Sequence, residues 1–220
     1  KKDTMLDLLL IALPIAFIFA RAYYVIFRWE FYKGDFASMI AIWDGGIAIY
    51  GGLIGGFVVL YFFARARGIK IIKLLDIIAP SLLVGQMLGR WGNFFNHEAY
   101  GEAVSQQYLQ DRFIPNFIIE NMYIDGAYRQ PTFLYESLWC FIALVILLLI
   151  RNKLAQSEVF AAYLILYGVE RFIVEGMRTD SLYLGSLRVS QVLSLVFVVG
   201  SLIYLIVLNT KYKDKKILYR

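Results

Sequence analysis

The chain has 220 residues, of which 60% are hydrophobic and 18% are charged, with a mean hydropathy of +0.63. A soluble domain carries roughly 25% charged residues, so this composition excludes an ordinary soluble fold. The net charge of +5 does not indicate nucleic-acid binding, because the basic residues stand in short clusters between apolar stretches.

In chain order, the apolar stretches predict six membrane-spanning helices, each near the length that a helix needs to cross about 30 Å of hydrocarbon. The predicted spans are residues 5–27, 45–63, 71–88, 133–150, 159–175 and 189–208. We therefore predict an all-α, polytopic transmembrane helix bundle that forms a single domain over residues 1–220. The connection 89–132 is too polar to span, and we expect it to form an external cap between the third and fourth spans.

The distribution of lysine and arginine predicts the orientation of these spans. Thirteen of the 22 basic residues fall at alternate ends of the spans, which should therefore face the cytoplasm. They are Lys1, Lys2, Arg65, Arg67, Lys70, Lys73, Arg151, Lys153, Lys211, Lys213, Lys215, Lys216 and Arg220. The others lie within spans or on the opposite side, and these require another explanation. They are Arg21, Arg28, Lys33, Arg90, Arg112, Arg129, Arg171, Arg178 and Arg188.

The N-terminal segment and the single cysteine each support one expectation. The first span lacks a small-residue cleavage site, so it matches a signal peptide poorly. Because the chain begins with Lys1 rather than methionine, we expect natural N-terminal residues to precede it. Cys140 lies in an apolar stretch and cannot form an intramolecular disulfide, so its expected role is packing.

A glycine-rich segment, Trp43 to Gly56, opens the second predicted span and contains Tyr50. Small residues allow a helix or a ligand to approach closely, and helix packing is their commoner use. Judged by residue type alone, Tyr50 is more often an aromatic residue of the membrane interface than a catalytic group.

The segment Gly89 to Glu102 is both polar and aromatic, at the external end of the third span. Its glycines would allow the backbone to turn or to approach a ligand. Arg90 offers a permanently charged fork that suits a phosphate. The alternative is an interfacial loop in which Arg90 reaches toward water, with Trp91 and Tyr100 as aromatic anchors. Ionisable groups inside a membrane nevertheless favour a functional interpretation.

Two further polar patterns lie at the fourth and fifth spans. In the segment 130–136, Pro131 suits the first turn of a helix, so helix entry explains that part, while Glu136 lies just inside the membrane. In the fifth span Tyr167, Arg171 and Glu175 are spaced by four, which places their side chains on one stripe of a helix. The alternative for this stripe is a structural Arg171–Glu175 pair.

Patterns for metal or nucleotide cofactors are missing from the sequence. The only histidine, His97, lies in the polar connection, and there is no His/Cys cluster, phosphate-binding glycine loop or HExxH motif. We therefore predict neither a metal site nor a cofactor.

Four of these segments together resemble the bacterial prolipoprotein diacylglyceryl transferase family. The longest match is Gly89-Arg90-x-Gly-Asn93-Phe-x-Asn96-x-Glu98-x-x-Gly101. The others, in the same order as in the family, are Asp44 to Gly56, Pro131 to Glu136, and Tyr167-Gly-x-x-Arg171-Phe-x-x-Glu175-x-x-Arg178. The resemblance thus extends over most of the chain.

The resemblance implies a fold, an activity and a location. Family members have seven transmembrane helices, so this chain would lack the first. They transfer a diacylglyceryl group from phosphatidylglycerol to the lipobox cysteine of a preprolipoprotein and release glycerol phosphate, which is the first step of lipoprotein maturation. The expected partners are therefore that lipid, signal peptides with a lipobox cysteine and the bilayer, without nucleic acid. The expected location is the bacterial cytoplasmic membrane, with the active site toward the external face.

Roles for individual residues follow from the same resemblance. Arg90 and Arg171 match the two essential arginines, and we predict both as catalytic groups together with Glu98 and Tyr50. Tyr50 stands where well-studied members carry a histidine proposed as the base. The predicted substrate-binding residues are Arg90, Asn93, Gly101, Tyr167 and Glu175.

Two other functions compete with the transferase. A transporter of an anionic solute would use Arg90 and Arg171 along its path, but such proteins place polar groups near the bilayer midplane and usually contain repeats. Here the polar residues gather at the external ends of the spans. A membrane scaffold without catalytic activity would use the same residues as structural ion pairs.

Overall fold

A computed structural model describes residues 3–211 and 219 of the chain. Six long helices account for most of these residues and correspond to the six predicted spans. They are α1 (Asp3–Phe27), α4 (Ile49–Ala66), α5 (Ile71–Phe95), α8 (Thr132–Ile150), α9 (Glu158–Met177) and α10 (Val189–Lys211). The predicted cytoplasmic residues Lys1, Lys2, Lys213, Lys215, Lys216 and Arg220 lie outside the described residues.

Five of the six long helices are both long and apolar enough to cross a membrane, among the residues described. The exception is α9, which is 20 residues long but carries Glu158, Glu170, Arg171 and Glu175. Its charge, rather than its length, separates it from the other five. The all-α polytopic fold is therefore confirmed, while the predicted spanning role of α9 stays a prediction.

The chain divides into two compact units, residues 1–74 and 75–220. In the first unit α1 packs against α4 at very short range, because two glycines of α4 remove the side chains that would separate the helices. A Cβ added to Gly55 would lie 2.7 Å from the Cβ of Phe19, and one added to Gly51 would overlap the backbone of Phe19. The glycine-rich segment therefore serves helix packing, as its composition favours.

The same unit contains the short helices α2 (Trp29–Tyr32) and α3 (Phe36–Ile40), followed by a 3-10 turn at Ile42–Asp44. Helix α4 begins at Ile49 rather than at residue 45, because Gly45 (φ +82) and Gly46 (φ +74) adopt the left-handed conformation. Such a conformation interrupts a right-handed helix.

In the second unit α5, α8 and α9 share one apolar core. It is built from side chains that are nearly inaccessible to solvent: Ala79, Leu83, Cys140, Ala143, Leu147, Val159 and Tyr163. Helix α10 packs on α9 at Gly168, where an added Cβ would lie 2.8 Å from Val198. Cys140 is 1% exposed, which agrees with its expected packing role.

Residues 96–131 connect α5 to α8 and contain a small folded region. Strands β1 (Ala103–Val104), β2 (Tyr123–Ile124) and β3 (Ala127–Arg129) form an antiparallel sheet in the order β1-β3-β2. Helices α6 (Gln106–Gln110) and α7 (Asn116–Asn121) lie between β1 and β2. A second apolar cluster packs this region against the end of α5 and the start of α8, with Phe94, Leu109, Ile118, Ile119 and Phe133 at its centre.

A second hairpin, β4 (Tyr183–Leu184) and β5 (Leu187–Arg188), joins α9 to α10. The strands within the described residues are all two or three residues long. Strands this short carry no measurable alternation of polar and apolar residues, so the sequence does not predict them.

Candidate active site

Glu136 on α8 is the meeting point of two arginines that come from the two neighbouring helices. Its Oε2 lies 2.7 Å from Nε of Arg90 on α5 and 3.4 Å from Nη1 of Arg171 on α9. Arg171 also binds Glu175, with 2.6 Å between Nη2 and Oε2. We call these four residues the arginine–carboxylate cluster. It unites two of the predicted catalytic residues with one predicted binding residue.

Burial gives the cluster its electrostatic strength. The side chains of Glu136 and Glu175 are 1% and 2% exposed, whereas those of Arg90 and Arg171 are 19% and 15% exposed. The carboxylates are thus enclosed, and the guanidinium groups keep part of their surface exposed. Removing one partner from a buried pair of this kind costs about 3–5 kcal/mol, because the other charge stays without compensation.

Arg90 retains hydrogen-bonding capacity within the cluster. It contacts Glu136 through Nε, and its two terminal nitrogens have no hydrogen-bond partner among the described residues. A guanidinium held by one edge can offer its remaining N–H groups to an anion, and the planar fork matches the oxygens of a phosphate. The cluster can therefore bind a phosphate without losing its internal pairing.

Side-chain packing holds Arg90 in position. The neighbouring Trp91 donates from Nε1 to Oγ of Ser137 at 3.2 Å, and that hydroxyl donates to the carbonyl of Met87 at 3.0 Å. The Trp91 ring also packs edge-on against Phe133, with 5.3 Å between the centroids. These contacts fix the last turns of α5 against the first turns of α8, where Glu136 lies.

The glycines beside Arg90 do not turn the backbone. Gly89 and Gly92 both lie within α5, which continues to Phe95, beyond the predicted end of the span at residue 88. The chain turns later, where His97 (φ +51) and Ala99 (φ +58) adopt the left-handed conformation. An added Cβ at either glycine meets no atom within 4 Å among the described residues, so they leave space along the helix.

Asn93 and Glu98 lie near this turn, and neither has a recorded contact with the cluster in the described part of the chain. The amide of Glu98 donates to the carbonyl of Asn93 at 3.0 Å, and the exposed Glu98 carboxylate accepts from Nδ2 of Asn96 at 3.2 Å. Among the described residues, Arg90 pairs with the carboxylate of Glu136 instead. The roles predicted for Asn93 and Glu98 stay predictions.

Gly101 connects the small sheet to the end of α9. Its amide donates to the carbonyl of Gln130 at 3.0 Å, and it forms an antiparallel bridge with Arg178. An added Cβ would lie 2.8 Å from the Cβ of Gln130 and 3.1 Å from the carbonyl oxygen of Met177. Only glycine fits here without displacing backbone, so close packing explains why the motif Gly89 to Gly101 ends in a glycine.

Arg178, the last residue of the family motif that begins at Tyr167, pairs with Asp180 instead of joining the cluster. Its Nε and Nη2 lie 2.9 and 2.7 Å from the two oxygens of that carboxylate. This bidentate hydrogen bond lowers the pKa of Asp180 below its usual value. The pair therefore holds the chain immediately after α9 under all but strongly acidic conditions.

Tyr167 lies on the same stripe as Arg171 and is half-buried. Its ring stacks on that of Tyr163, with 6.0 Å between the centroids and 6° between the planes. Tyr163 is held in turn by a 2.9 Å hydrogen bond from Gln86 on α5. Tyr167 is thus fixed one helical turn before Arg171, in a position that suits its predicted binding role.

Tyr50 belongs to the first unit, in the first turn of α4. Its side chain is 51% exposed, and its recorded ring contact is with Tyr23, at 6.5 Å between centroids. No hydrogen bond to the Tyr50 hydroxyl is present among the described residues. Its proposed part in proton transfer stays a prediction.

Arg21, which received no predicted role, organises the segment before Tyr50. It is 6% exposed and donates to the carbonyls of Ser38, Met39, Gly45 and Gly46 at 2.6–2.9 Å. It also borders an apolar cavity of about 600 Å³ within the first unit, and no predicted site residue lines that cavity. Its isolated charge inside an apolar helix was the signal that could have identified it.

Sequence reasoning also assigned no role to Glu136, although it lies at the centre of the cluster. The available signal was a carboxylate within an otherwise apolar helix, which must pair with something. The sequence does not reveal its partners, since Arg90 and Arg171 are 46 and 35 positions away.

In the described part of the chain, no three His, Cys, Asp or Glu residues are grouped so as to hold a metal ion.

Together, the helices and the cluster define a polytopic membrane protein in which two arginines from different helices pair with buried carboxylates. Comparison with known proteins extends this description. The family model of prolipoprotein diacylglyceryl transferase matches residues 1–207, and the chain belongs to that family. It is a multi-pass protein of the bacterial cytoplasmic membrane.

Similar proteins from several bacilli carry one name, phosphatidylglycerol–prolipoprotein diacylglyceryl transferase. Those from Bacillus mycoides (strain KBAB4), Bacillus cereus (strain G9842) and Bacillus anthracis (strain A0248) are each 55% identical to this chain over 207 residues. The matched region covers 94% of this chain and 77% of each relative. The resemblance in the four short motifs is thus part of a similarity along nearly the whole chain.

Proposed function

We propose that this chain transfers the diacylglyceryl group of phosphatidylglycerol to the thiol of a lipobox cysteine in a preprolipoprotein. The reaction forms a thioether, releases glycerol phosphate and is the first step of lipoprotein maturation. The family membership and the names of the relatives support the reaction. The observation that carries the assignment of the site is the convergence of Arg90 and Arg171 on the buried Glu136.

The chemistry is a displacement at carbon. The cysteine sulfur attacks the glycerol carbon that bears the phosphate, the carbon–sulfur bond forms, and the carbon–oxygen bond breaks with its electron pair going to the phosphate. The leaving phosphate gains one negative charge. Arg90 and Arg171 stabilise that charge, and preorganised donors of this kind contribute roughly 100- to 1,000-fold in rate each.

The carboxylates of the cluster act as positioning residues. Glu175 holds Nη2 of Arg171, and Glu136 holds Nε of Arg90, so both guanidinium groups are oriented before the lipid arrives. Asn93, Gly101 and Tyr167 complete the proposed binding site. Glu98 and Tyr50 retain their proposed catalytic roles on the strength of the family resemblance.

We place the site toward the external face of the membrane. Arg151 and Lys153 follow the end of α8, and positive charge in short connections favours the cytoplasmic side. Glu136 lies 14 residues before the end of α8, about 21 Å along the helix axis, and Arg171 lies 13 residues into α9, about 20 Å. The cluster therefore stands close to the opposite ends of both helices.

The decisive experiment measures glycerol phosphate release by the purified full-length protein with phosphatidylglycerol vesicles and a lipobox peptide. We expect release that requires the peptide cysteine and falls roughly 100-fold or more in Arg90→Lys, because an ammonium cannot reproduce the bidentate fork. The matched control is Arg112→Lys, since Arg112 lies in the exposed connection, where its side chain donates to the carbonyl of Tyr108 and stacks on the Tyr108 ring. Folded wild-type protein without release would contradict the transferase and favour an anion transporter.

A further inference from the structure

Glu170 on α9 is a buried carboxylate without a partner. It is 1% exposed, and neither of its oxygens has a hydrogen-bond partner among the described residues. Nearly all buried polar side-chain atoms in native proteins are paired, and an exception calls for a functional explanation. Neither the helix packing nor the family signature supplies one for Glu170.

The surroundings of Glu170 are those of the arginine–carboxylate cluster. Arg90, Arg171 and Glu136 all lie within electrostatic range of its carboxylate. Cys140 on α8 and Tyr167, one turn earlier on α9, also interact with it electrostatically. Titratable or charged groups from α5, α8 and α9 thus surround Glu170 within electrostatic range.

Charge counting separates Glu170 from the other two carboxylates of this region. Arg90 and Arg171 contribute two positive charges, which Glu136 and Glu175 balance through direct ion pairs. Glu136 therefore pairs with guanidinium groups through both oxygens, and Glu175 does so through Oε2. Among these three carboxylates, only Glu170 has no hydrogen-bond partner on either oxygen in the part of the chain that the structure describes, and a free lone pair is what a proton acceptor requires.

We propose that Glu170 accepts the proton of the substrate thiol, an inference that rests on the transferase function proposed above. A thiol attacks as the thiolate, so the reaction needs a group that removes this proton close to the arginines. Glu170 supplies that group from within the site. It would thereby take the part for which a histidine has been proposed in other family members.

The proposed reaction steps conserve protons and charge. The thiol transfers its proton to the Glu170 carboxylate, which becomes a neutral carboxyl group, and the thiolate attacks the glycerol carbon. Glycerol phosphate leaves with two negative charges, both within reach of the arginines. The Glu170 proton then passes to the departing phosphate, which restores the carboxylate and leaves a singly charged product.

Two variants test this role. Glu170→Gln keeps the shape of the side chain but cannot accept a proton, and Glu170→Met removes the unpaired polar atoms altogether. At about pH 7 we expect both to lose roughly 100-fold in kcat, which is a usual contribution of a general base. The loss should shrink to a few-fold near about pH 9.5, where the thiol, with a pKa of about 8.5, ionises without help.

The controls separate catalysis from folding. Glu170→Met should melt in detergent at the wild-type temperature or above it, because it removes an unpaired buried group. Glu120→Gln, in the exposed end of α7, should keep the wild-type pH profile. Recovery of part of the activity in Glu170→Asp would support a need for a carboxylate.

Three results would overturn the proposal. Wild-type rates in Glu170→Gln at about pH 7 would show that its proton-accepting capacity is not used. An equal loss at every pH would indicate a positioning effect rather than proton transfer. An inactive but folded wild-type protein would overturn the transferase function together with this inference, whereas the first two results would leave that function intact.

Discussion

Glu136 shows how much of the site depends on a single side chain. It contacts both arginines, it is almost completely buried, and it comes from a different helix than either of them. A substitution here removes the counter-charge that Arg90 and Arg171 share. A substitution of Glu136 should therefore lower the free energy of unfolding as well as the catalytic rate.

We expect Glu136→Gln to lower the free energy of unfolding by about 3–5 kcal/mol, the usual result of breaking a buried ion pair. The measurement is the thermal transition of the purified protein in detergent, beside glycerol phosphate release at a temperature where both proteins are folded. Glu120→Gln serves as the control, since Glu120 is exposed. An unchanged transition in Glu136→Gln would mean that the pair contributes little to stability.

A side chain of α5 caps the N-terminus of α9, although the two partners are 81 positions apart in sequence. The carboxylate of Asp76, near the start of α5, accepts from the amide of Ser157 at 2.6 Å and from that of Phe160 at 2.9 Å. Ser157 precedes α9 in a left-handed conformation and does not cap the helix with its own side chain. Asp76 thus satisfies the first amides of a helix to which it does not belong.

We expect Asp76→Ala to destabilise the start of α9, because a lost cap costs about 1–2 kcal/mol and buried amides without acceptors cost more. Hydrogen exchange should accelerate in the first turn of α9 and stay unchanged in α7. Asp111→Ala is the control, since Asp111 is exposed and its carboxylate accepts one hydrogen bond among the described residues, from the Gln107 side chain. Uniform acceleration across α5 and α9 would instead indicate global unfolding.

At the scale of elements, the sequence predicted the boundaries of the six long helices to within four residues, except that α5 ends seven residues later than predicted, because uninterrupted apolar length determines most of these boundaries. The late start of α4 and the late end of α5 depend on backbone conformations at Gly45, Gly46, His97 and Ala99 that apolar length does not reveal. The pairing of Glu136 with two arginines and the cap from Asp76 were not predictable. Both join residues that are far apart in sequence and become neighbours only through helix packing.

At the scale of the whole molecule, the distribution of basic residues predicts the side of the membrane on which each connection lies. Asn121, at the end of α7, should face the exterior, and Asn152, between α8 and α9, should face the cytoplasm. Both residues are exposed, whereas the only native cysteine, Cys140, is 1% exposed. Single cysteines can therefore be introduced at either position with little background from Cys140.

We expect a membrane-impermeant maleimide to label Asn121→Cys in intact spheroplasts and Asn152→Cys only after permeabilisation, since positive charge keeps the second connection inside. Labelling of the unmodified protein measures the background. The reverse pattern would contradict the external placement of the cluster, although it would leave the ion pairs of the site unaffected.

The charge carried by α9 also has a consequence for the biogenesis of the protein. Charged residues make the insertion of a membrane helix less favourable, and α9, as a predicted span, carries Glu170, Arg171 and Glu175. Only seven residues separate the end of α8 from the start of α9, and α8 provides Glu136 as a counter-ion. The two helices are therefore suited to leave the translocon together, as a hairpin in which the ion pair forms before either helix meets lipid alone.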